Sequence, residues 1–258
     1  MVPLRKSRVL DKLRKGKIAC SFKTNLADIR TVQIAAMSGF DCVWTCLEHV
    51  PNNMETIECQ VLAAKAYDVD CVVRVGRGSY SDYIRPFEMD AAGIMVPHVM
   101  GKKDALEVVK TTKFQPVGRR PLDGGNADGA FCLVPTKEYI EHSLKEKFVI
   151  IQIEDPEAIE ELDDICSVEG IDMIFFGPGD YSNTLGLPGQ LTAPPVVEAW
   201  KKVAESARKH GKFAGTVANV NTLDMVVDMG YRFINMGSDV GAIGSFAGKM
   251  YDCLSKYL

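Results

Sequence analysis

Short, nearly unbroken apolar runs alternate along the chain with longer segments in which apolar residues recur at helical spacing. The runs read as strands: IACSF (18–22), CVWTCLE (42–48), CVVRV (71–75), GIMVPHV (93–99), FVIIQIE (148–154), IDMIFFG (171–177), FAGTVAN (213–219) and FINMGSD (233–239). Between them, Ile29, Val32 and Ala36 fall at i, i+3 and i+7. The same spacing links Ile159, Leu162 and Cys166, then Val197, Trp200 and Ala204, each with charges on the opposite face. Asp155-Pro156 reads as an N-cap and first helical position, and Gly211 closes the helix that holds Trp200. Strands that are apolar throughout, rather than alternating, are covered by helices outside and by packed side chains inside. Eight such units predict an α/β fold: a single (β/α)8 TIM barrel over residues 1–258, with an additional N-terminal helix and a C-terminal helix.

One stretch breaks the repeat. A helix over 102–114 leads into PVGRRPLDGGNADGAF (116–131) and then a second helical segment over 136–146. A long Gly- and Asp-rich loop inside a compact domain is either disordered or functional. Neither GxxxxGK[ST] nor a GxGxxG following a strand is present, so nothing supports nucleotide binding.

Composition narrows the class only coarsely. With 47% hydrophobic and 25% charged residues and a net charge of −4, the chain is neither disordered nor a nucleic-acid-coating protein. No apolar run approaches the roughly 20 residues of a membrane span, and the first segment lacks a secretory apolar core, so a cytoplasmic protein is expected. That segment is basic, with Arg5, Lys6, Arg8, Lys12, Arg14, Lys15 and Lys17 set around Leu4, Leu10 and Leu13; it reads as a surface helix laying its leucines on the domain. The eight cysteines include no CxxC pair and fall mostly in apolar runs, which predicts buried, reduced thiols.

In a βα barrel the chemistry gathers at the C-terminal ends of the strands. The polar residues there are Glu48 and His49, Arg74, His98, Gln152 and Glu154, and the turn Gly177-Pro178-Gly179-Asp180. Glu154 and Asp180 suit a hard divalent cation with open positions, or alternatively cap the helices that follow. Arg74 ends an apolar strand and needs an anion, either a protein carboxylate or a substrate. His49 and His98 are both candidate bases, while His142 and His210 fall on helices. A Schiff-base aldolase would need a lysine projecting into the barrel, and only Lys23, just past the first strand, comes near that description.

Read together, GFDCVWTCLEHVPNN (39–53), VVRV (72–75), IMVPHV (94–99), QIEDPEAIEELDDICSVEGIDMIFFGPGDYSNTLG (152–186) and FINMGSD (233–239) resemble the HpcH/HpaI aldolase family, metal-dependent class II pyruvate aldolases. The resemblance spans nearly the whole chain. It implies reversible cleavage of a 4-hydroxy-2-oxo acid to pyruvate, or a related 2-oxo acid, and an aldehyde, with Mg²⁺, Mn²⁺ or Co²⁺ as cofactor. Glu154 and Asp180 would be metal ligands, and Gln152 would line the pyruvate site. Arg74 would contact the keto oxygen, and the backbone of Gly179 and Asp180 would hold the carboxylate. His49 would act in proton transfer through a metal-bound water, oriented by Glu88, and Arg120 matches the arginine of the family's Gly-x-Arg loop. The family also implies a homohexamer, a trimer of dimers with an exchanged last helix; here Ile243, Phe246, Met250 and Leu254 form an apolar stripe.

Two positions depart from the pattern. Cys46 stands where the family keeps an acid, and Pro121 follows the loop arginine where the family has Gly. Two competing readings remain: a malyl- or citramalyl-CoA-type lyase, and a degenerate barrel that binds metal and ketoacid without turnover.

Overall fold

A computed structural model describes residues 4–258 and forms a closed barrel of eight parallel strands in sequential order. These are β1 (Ala19–Lys23), β2 (Cys42–Cys46), β3 (Asp70–Arg74), β4 (Gly93–Val96), β5 (Phe148–Ile153), β6 (Met173–Phe176), β7 (Phe213–Ala218) and β8 (Phe233–Ser238). Each of the eight expected strands is present. The first is displaced by one residue at each end, so that Lys23 is its last residue rather than the start of the loop.

Alternation along each strand sorts the apolar residues into two cores. Ala19, Trp44, Val72, Met95, Phe148, Ile150, Met173, Phe175 and Phe233 fill the barrel. Their out-of-phase neighbours, among them Val43, Val73, Ile94, Ile151, Ile153, Ile174 and Phe176, pack against the surrounding helices. Aromatic rings interlock edge-to-face inside, Trp44 with Phe175 at 5.5 Å and Phe175 with Phe233 at 6.3 Å. The strands are apolar throughout because both faces are buried.

The basic N-terminal segment forms the helix Arg8–Arg14, and Val9, Leu10 and Leu13 join the interior core as a plug at the N-terminal end of the strands. Its cations meet buried acids. Asp70 accepts from Ser7 Oγ (2.6 Å), Val9 N (2.9 Å) and Arg5 Nη1 (2.6 Å), while Asp41 accepts from Arg8 Nε (2.9 Å), Lys12 Nζ (2.7 Å) and Cys20 N (3.0 Å).

The Gly- and Asp-rich loop is ordered. It carries a short 3₁₀ turn, Ala127–Cys132, and is pinned by Asp128, which accepts from Arg120 Nη2 (2.8 Å) and Tyr139 Oη (2.7 Å). The helices on either side, Lys102–Thr112 and Thr136–Glu146, match the expected segments to within two residues. All eight cysteines are free, but the expectation that they are mostly buried holds only for Cys42, Cys46, Cys71 and Cys166; Cys59, Cys132 and Cys253 lie on exposed helix or loop surfaces. The last helix, Asp239–Ser255, leaves the barrel. Asp239 anchors its start by accepting from Asn25 N (2.8 Å) and Leu26 N (3.0 Å), and Ile243, Phe246, Met250 and Leu254 stay exposed along its length.

Candidate active site

The inward alternation that fills the barrel places Lys23, Cys46, Arg74, Gln152 and Gly177 in its uppermost layer, with Glu48, His98, Glu154 and Asp180 in the turns just beyond. Arg74 is buried, and its guanidinium lies 4.9 Å from the centroid of the Trp44 ring. Its Nε approaches Glu48 Oε2 at 2.9 Å, and Nε and Nη2 each donate to Cys46 Sγ at 3.3 Å. The His49 backbone N–H also points at that sulfur, at 3.4 Å. Cys46 therefore fills space and accepts hydrogen bonds from the site's arginine.

Glu154 is buried, with Oε1 accepting from the His98 backbone N–H at 3.0 Å and Oε2 beside Gln152 Nε2. Burial pushes its carboxyl up to about 7, and the charges of Asp180 and Glu48 push the same way against the opposing His98. Among the described residues Gln152 Oε1 is buried without a partner. Gly177 is required here for space: a Cβ would lie 2.8 Å from Glu154 Oε2 and 2.9 Å from Gln152 Nε2. Beyond it Pro178 opens the helix Pro178–Thr184, and Gly179 and Asp180 occupy its exposed first turn, where backbone N–H groups have no intrahelical acceptor.

His98 links the acids. It adopts a left-handed backbone (φ 50°), and its Nδ1 lies 2.9 Å from Asp155 Oδ2, while Nε2 is 3.7 Å from Glu48 Oε1. Burial lowers its basicity, but the Asp155 hydrogen bond and the charges of Glu154, Asp155 and Glu48 raise its pKa overall. Asp155 does occupy the N-cap position expected of it, yet its carboxylate turns to His98 instead of the helix. This relay was missed because Asp155-Pro156 reads so well as a cap. The clue was the number of carboxylates following strands β2 and β5.

His49 is half-exposed, with Nε2 3.4 Å from Glu48 Oε2. The expectation that Glu88 orients it is not met: no hydrogen bond or ion pair joins the two in this chain. Glu88 lies on the outer helix Tyr80–Glu88, where burial raises its pKa and the charges that act on it most are those of Arg120 and Asp128. Arg120 is likewise away from the rim, because its buried pair with Asp128 and its stacking 4.8 Å from Phe114 and 5.4 Å from Phe87 hold it outside the barrel.

Among the described residues no three His, Cys, Asp or Glu side chains converge as a closed metal cage. Glu154 and Asp180 nonetheless fit a hard cation with open positions: Glu154 is a buried carboxylate that no Lys or Arg neutralises, next to a second acid and an unpartnered amide oxygen. Fold and rim together define a (β/α)8 enzyme whose site pairs a carboxylate cluster on one side with a buried arginine on the other. The HpcH/HpaI aldolase/citrate lyase family model matches residues 24–244, and the chain belongs to that family. It is 30% identical to a 5-keto-4-deoxy-D-glucarate aldolase of Klebsiella pneumoniae over 232 residues, 90% of each chain. Among solved structures it is similar to an HpcH/HpaI aldolase from Desulfitobacterium hafniense (29% identity, TM-score 0.90, 95% and 96% of the two chains). It is also similar to the citrate synthase SbnG (28% identity, TM-score 0.88, 98% of each chain).

Proposed function

We propose that the protein is a class II aldolase that reversibly cleaves a 4-hydroxy-2-oxo acid into pyruvate, or a related 2-oxo acid, and an aldehyde. The observation that carries this reading is the juxtaposition of the buried Glu154, which no Lys or Arg contacts, with Asp180, and the buried Arg74 at one rim. Glu154 and Asp180 would hold a divalent cation (Mg²⁺, Mn²⁺ or Co²⁺), which when bound supplies Lewis acidity toward a 2-oxo acid. Arg74 offers a charged donor to the oxygen on which negative charge develops as the methyl group loses a proton. The free N–H groups of Gly179 and Asp180 suit the substrate carboxylate. Gln152, held against Glu154, borders the space the oxo acid would occupy. His49 and His98 both approach Glu48, so a proton taken at the rim has a short route to either imidazole.

Exchange of pyruvate methyl protons, followed by NMR with and without Mn²⁺, tests the reading: metal-dependent exchange is expected. Its absence with every metal would favour a barrel that binds without turnover. Full metal-dependent activity in Glu154→Ala would remove the ligand assignment.

The uncovered stripe on Asp239–Ser255 supports a homo-oligomer in which this helix lies on a neighbouring subunit, and the family implies a trimer of dimers. Deleting residues 240–258 should lower the sedimenting mass per assembly by more than the deleted residues account for. A wild-type monomer in sedimentation would refute the proposal. Eight unpaired thiols suit a reducing, cytoplasmic compartment.

A further inference from the structure

Lys23 closes β1 in the same inward layer as Cys46 and Arg74, and its Nζ lies 5.2 Å from the centroid of the Trp44 ring that Arg74 also covers. Arg74 is engaged by Glu48 and Cys46, whereas Lys23 Nζ has no hydrogen-bond or ion-pair partner among the described residues. That sets it apart from the other half-buried or buried lysines. Lys12 meets Asp41, Lys65 and Lys147 meet Asp90, Lys113 meets Asp172, and Lys212 meets the Val168 carbonyl. Burial and the neighbouring Arg74 charge disfavour the ammonium form and outweigh the longer-range pull of Glu48 and Asp180, so the site holds a cation at a cost and, among the described residues, with no acid in contact with it.

The backbone supports the placement. The β1–β8 register slips between Ser21 and Lys23, so that Lys23 faces Ser238 across an extra residue, and Gly237 in that slip takes a left-handed φ of 84°. The extra residue lies in β8, so the slip bends that strand beside Lys23, while Lys23 itself keeps the inward alternation of β1 set by Ala19. The acids of the 2-oxo-acid end, Glu154 and Asp180, belong to the β5 and β6 side of the barrel, and Lys23 belongs to the β1 side.

We propose that Lys23 selects the aldehyde partner by pairing with an anionic group, a carboxylate or a phosphate, that the aldehyde carries. This rests on the aldolase reading above and goes beyond it by naming the acceptor class and the residue that reads it. Arg74 serves the 2-oxo acid and Lys23 the second substrate, and both cations lie against the Trp44 ring.

Aldol addition of pyruvate in the presence of Mn²⁺ tests this with acceptors paired by size: succinic semialdehyde against butanal, and glyceraldehyde 3-phosphate against glyceraldehyde. The wild type should favour the charged member of one pair, and which pair identifies the anion. Lys23→Met should raise KM for that acceptor about ten-fold or more while moving KM for its neutral counterpart much less, and Lys23→Arg should recover most of the preference. An equal fall with both acceptors in Lys23→Met, or no recovery in Lys23→Arg, would show a structural role and overturn the proposal. A readout free of turnover comes from Trp44 fluorescence: succinate or inorganic phosphate should perturb it in the wild type and Lys23→Arg but not in Lys23→Met, and no perturbation in the wild type would count against the proposal. Pyruvate proton exchange keeps the two ideas separate. Exchange without discrimination between paired acceptors defeats the Lys23 assignment alone, whereas no exchange defeats the aldolase reading on which it depends.

Discussion

The two ends of this barrel handle buried acids in opposite ways. At the N-terminal end, Asp41 and Asp70 are each surrounded by donors, and every cation involved comes from the first fifteen residues. At the C-terminal end, among the described residues, the buried Glu154 has no Lys or Arg in contact, the exposed Asp180 meets the Lys23 charge only at longer range, Gln152 Oε1 lacks a partner, and a histidine with a left-handed backbone joins three carboxylates. One end is built for stability. The other leaves Glu154 and Asp180 without a paired Lys or Arg, as a site must if an external cation is to complete it.

The sharpest way to break that contrast is to remove an acid from each end. Asp70→Ala should cost roughly 3–5 kcal/mol in urea denaturation, since it leaves Ser7 Oγ and two backbone N–H groups without their acceptor in a buried setting and removes one of the two carboxylates that Arg5 pairs with. Glu154→Gln should leave the metal-free protein as stable as the wild type or more so, while metal-dependent proton exchange falls by about a thousand-fold or more. Comparable destabilisation by both would mean that the ends do not differ as described.

A second test uses pH. Asp41 is held below its ordinary carboxylate range: burial opposes this, but Lys12, Cys20 and Arg8 outweigh it. A lowered acid contributes stability that is present above its unfolded value and lost as pH falls through its folded one. Glu154 has the opposite sign. Its folded value is about 7 against an ordinary 4.5, so the native state holds its proton more tightly, and the metal-free protein should lose stability as pH rises between those values. Thermal melting should therefore show an acid-side loss retained in Glu154→Gln and a neutral-side loss absent from it. Mn²⁺ should raise Tm more at pH 8 than at pH 5, because cation binding needs the carboxylate ionised. Equal shifts at the two pH values would separate Glu154 from the metal.

Most of the barrel was legible because unbroken apolar runs have one economical solution when helices alternate with them, and the rim followed from strand ends. The division of labour between the ends was not. Asp41 and Asp70 pair with the N-terminal segment, Arg5 to Lys12, across 29 to 65 residues of chain, a separation at which local periodicity carries no signal. Glu88 and Arg120 illustrate the reverse limit. A motif match placed both at the site, but in this chain an outer helix and a buried ion pair with Asp128 place them together outside the barrel. Lys23 turned on a single residue of strand length, which decides whether a side chain projects inward or begins a loop.

The smallest expected effect concerns Cys46, where the two modes of handling charge meet. Its sulfur accepts from both Arg74 Nε and Nη2, so it satisfies guanidinium donors without adding charge, and among the described residues Glu48 alone supplies the ion pair that a substrate anion would share or displace. Cys46→Ser preserves a small acceptor and should change the exchange rate by less than about three-fold. Cys46→Ala leaves a buried Arg74 N–H without that acceptor and should raise the pyruvate KM by up to about ten-fold, with a smaller change in kcat. If Cys46→Ser instead abolished exchange while melting like the wild type, the thiol would be a chemical participant, and the difference between the ends would extend from acids without a paired Lys or Arg to a nucleophile.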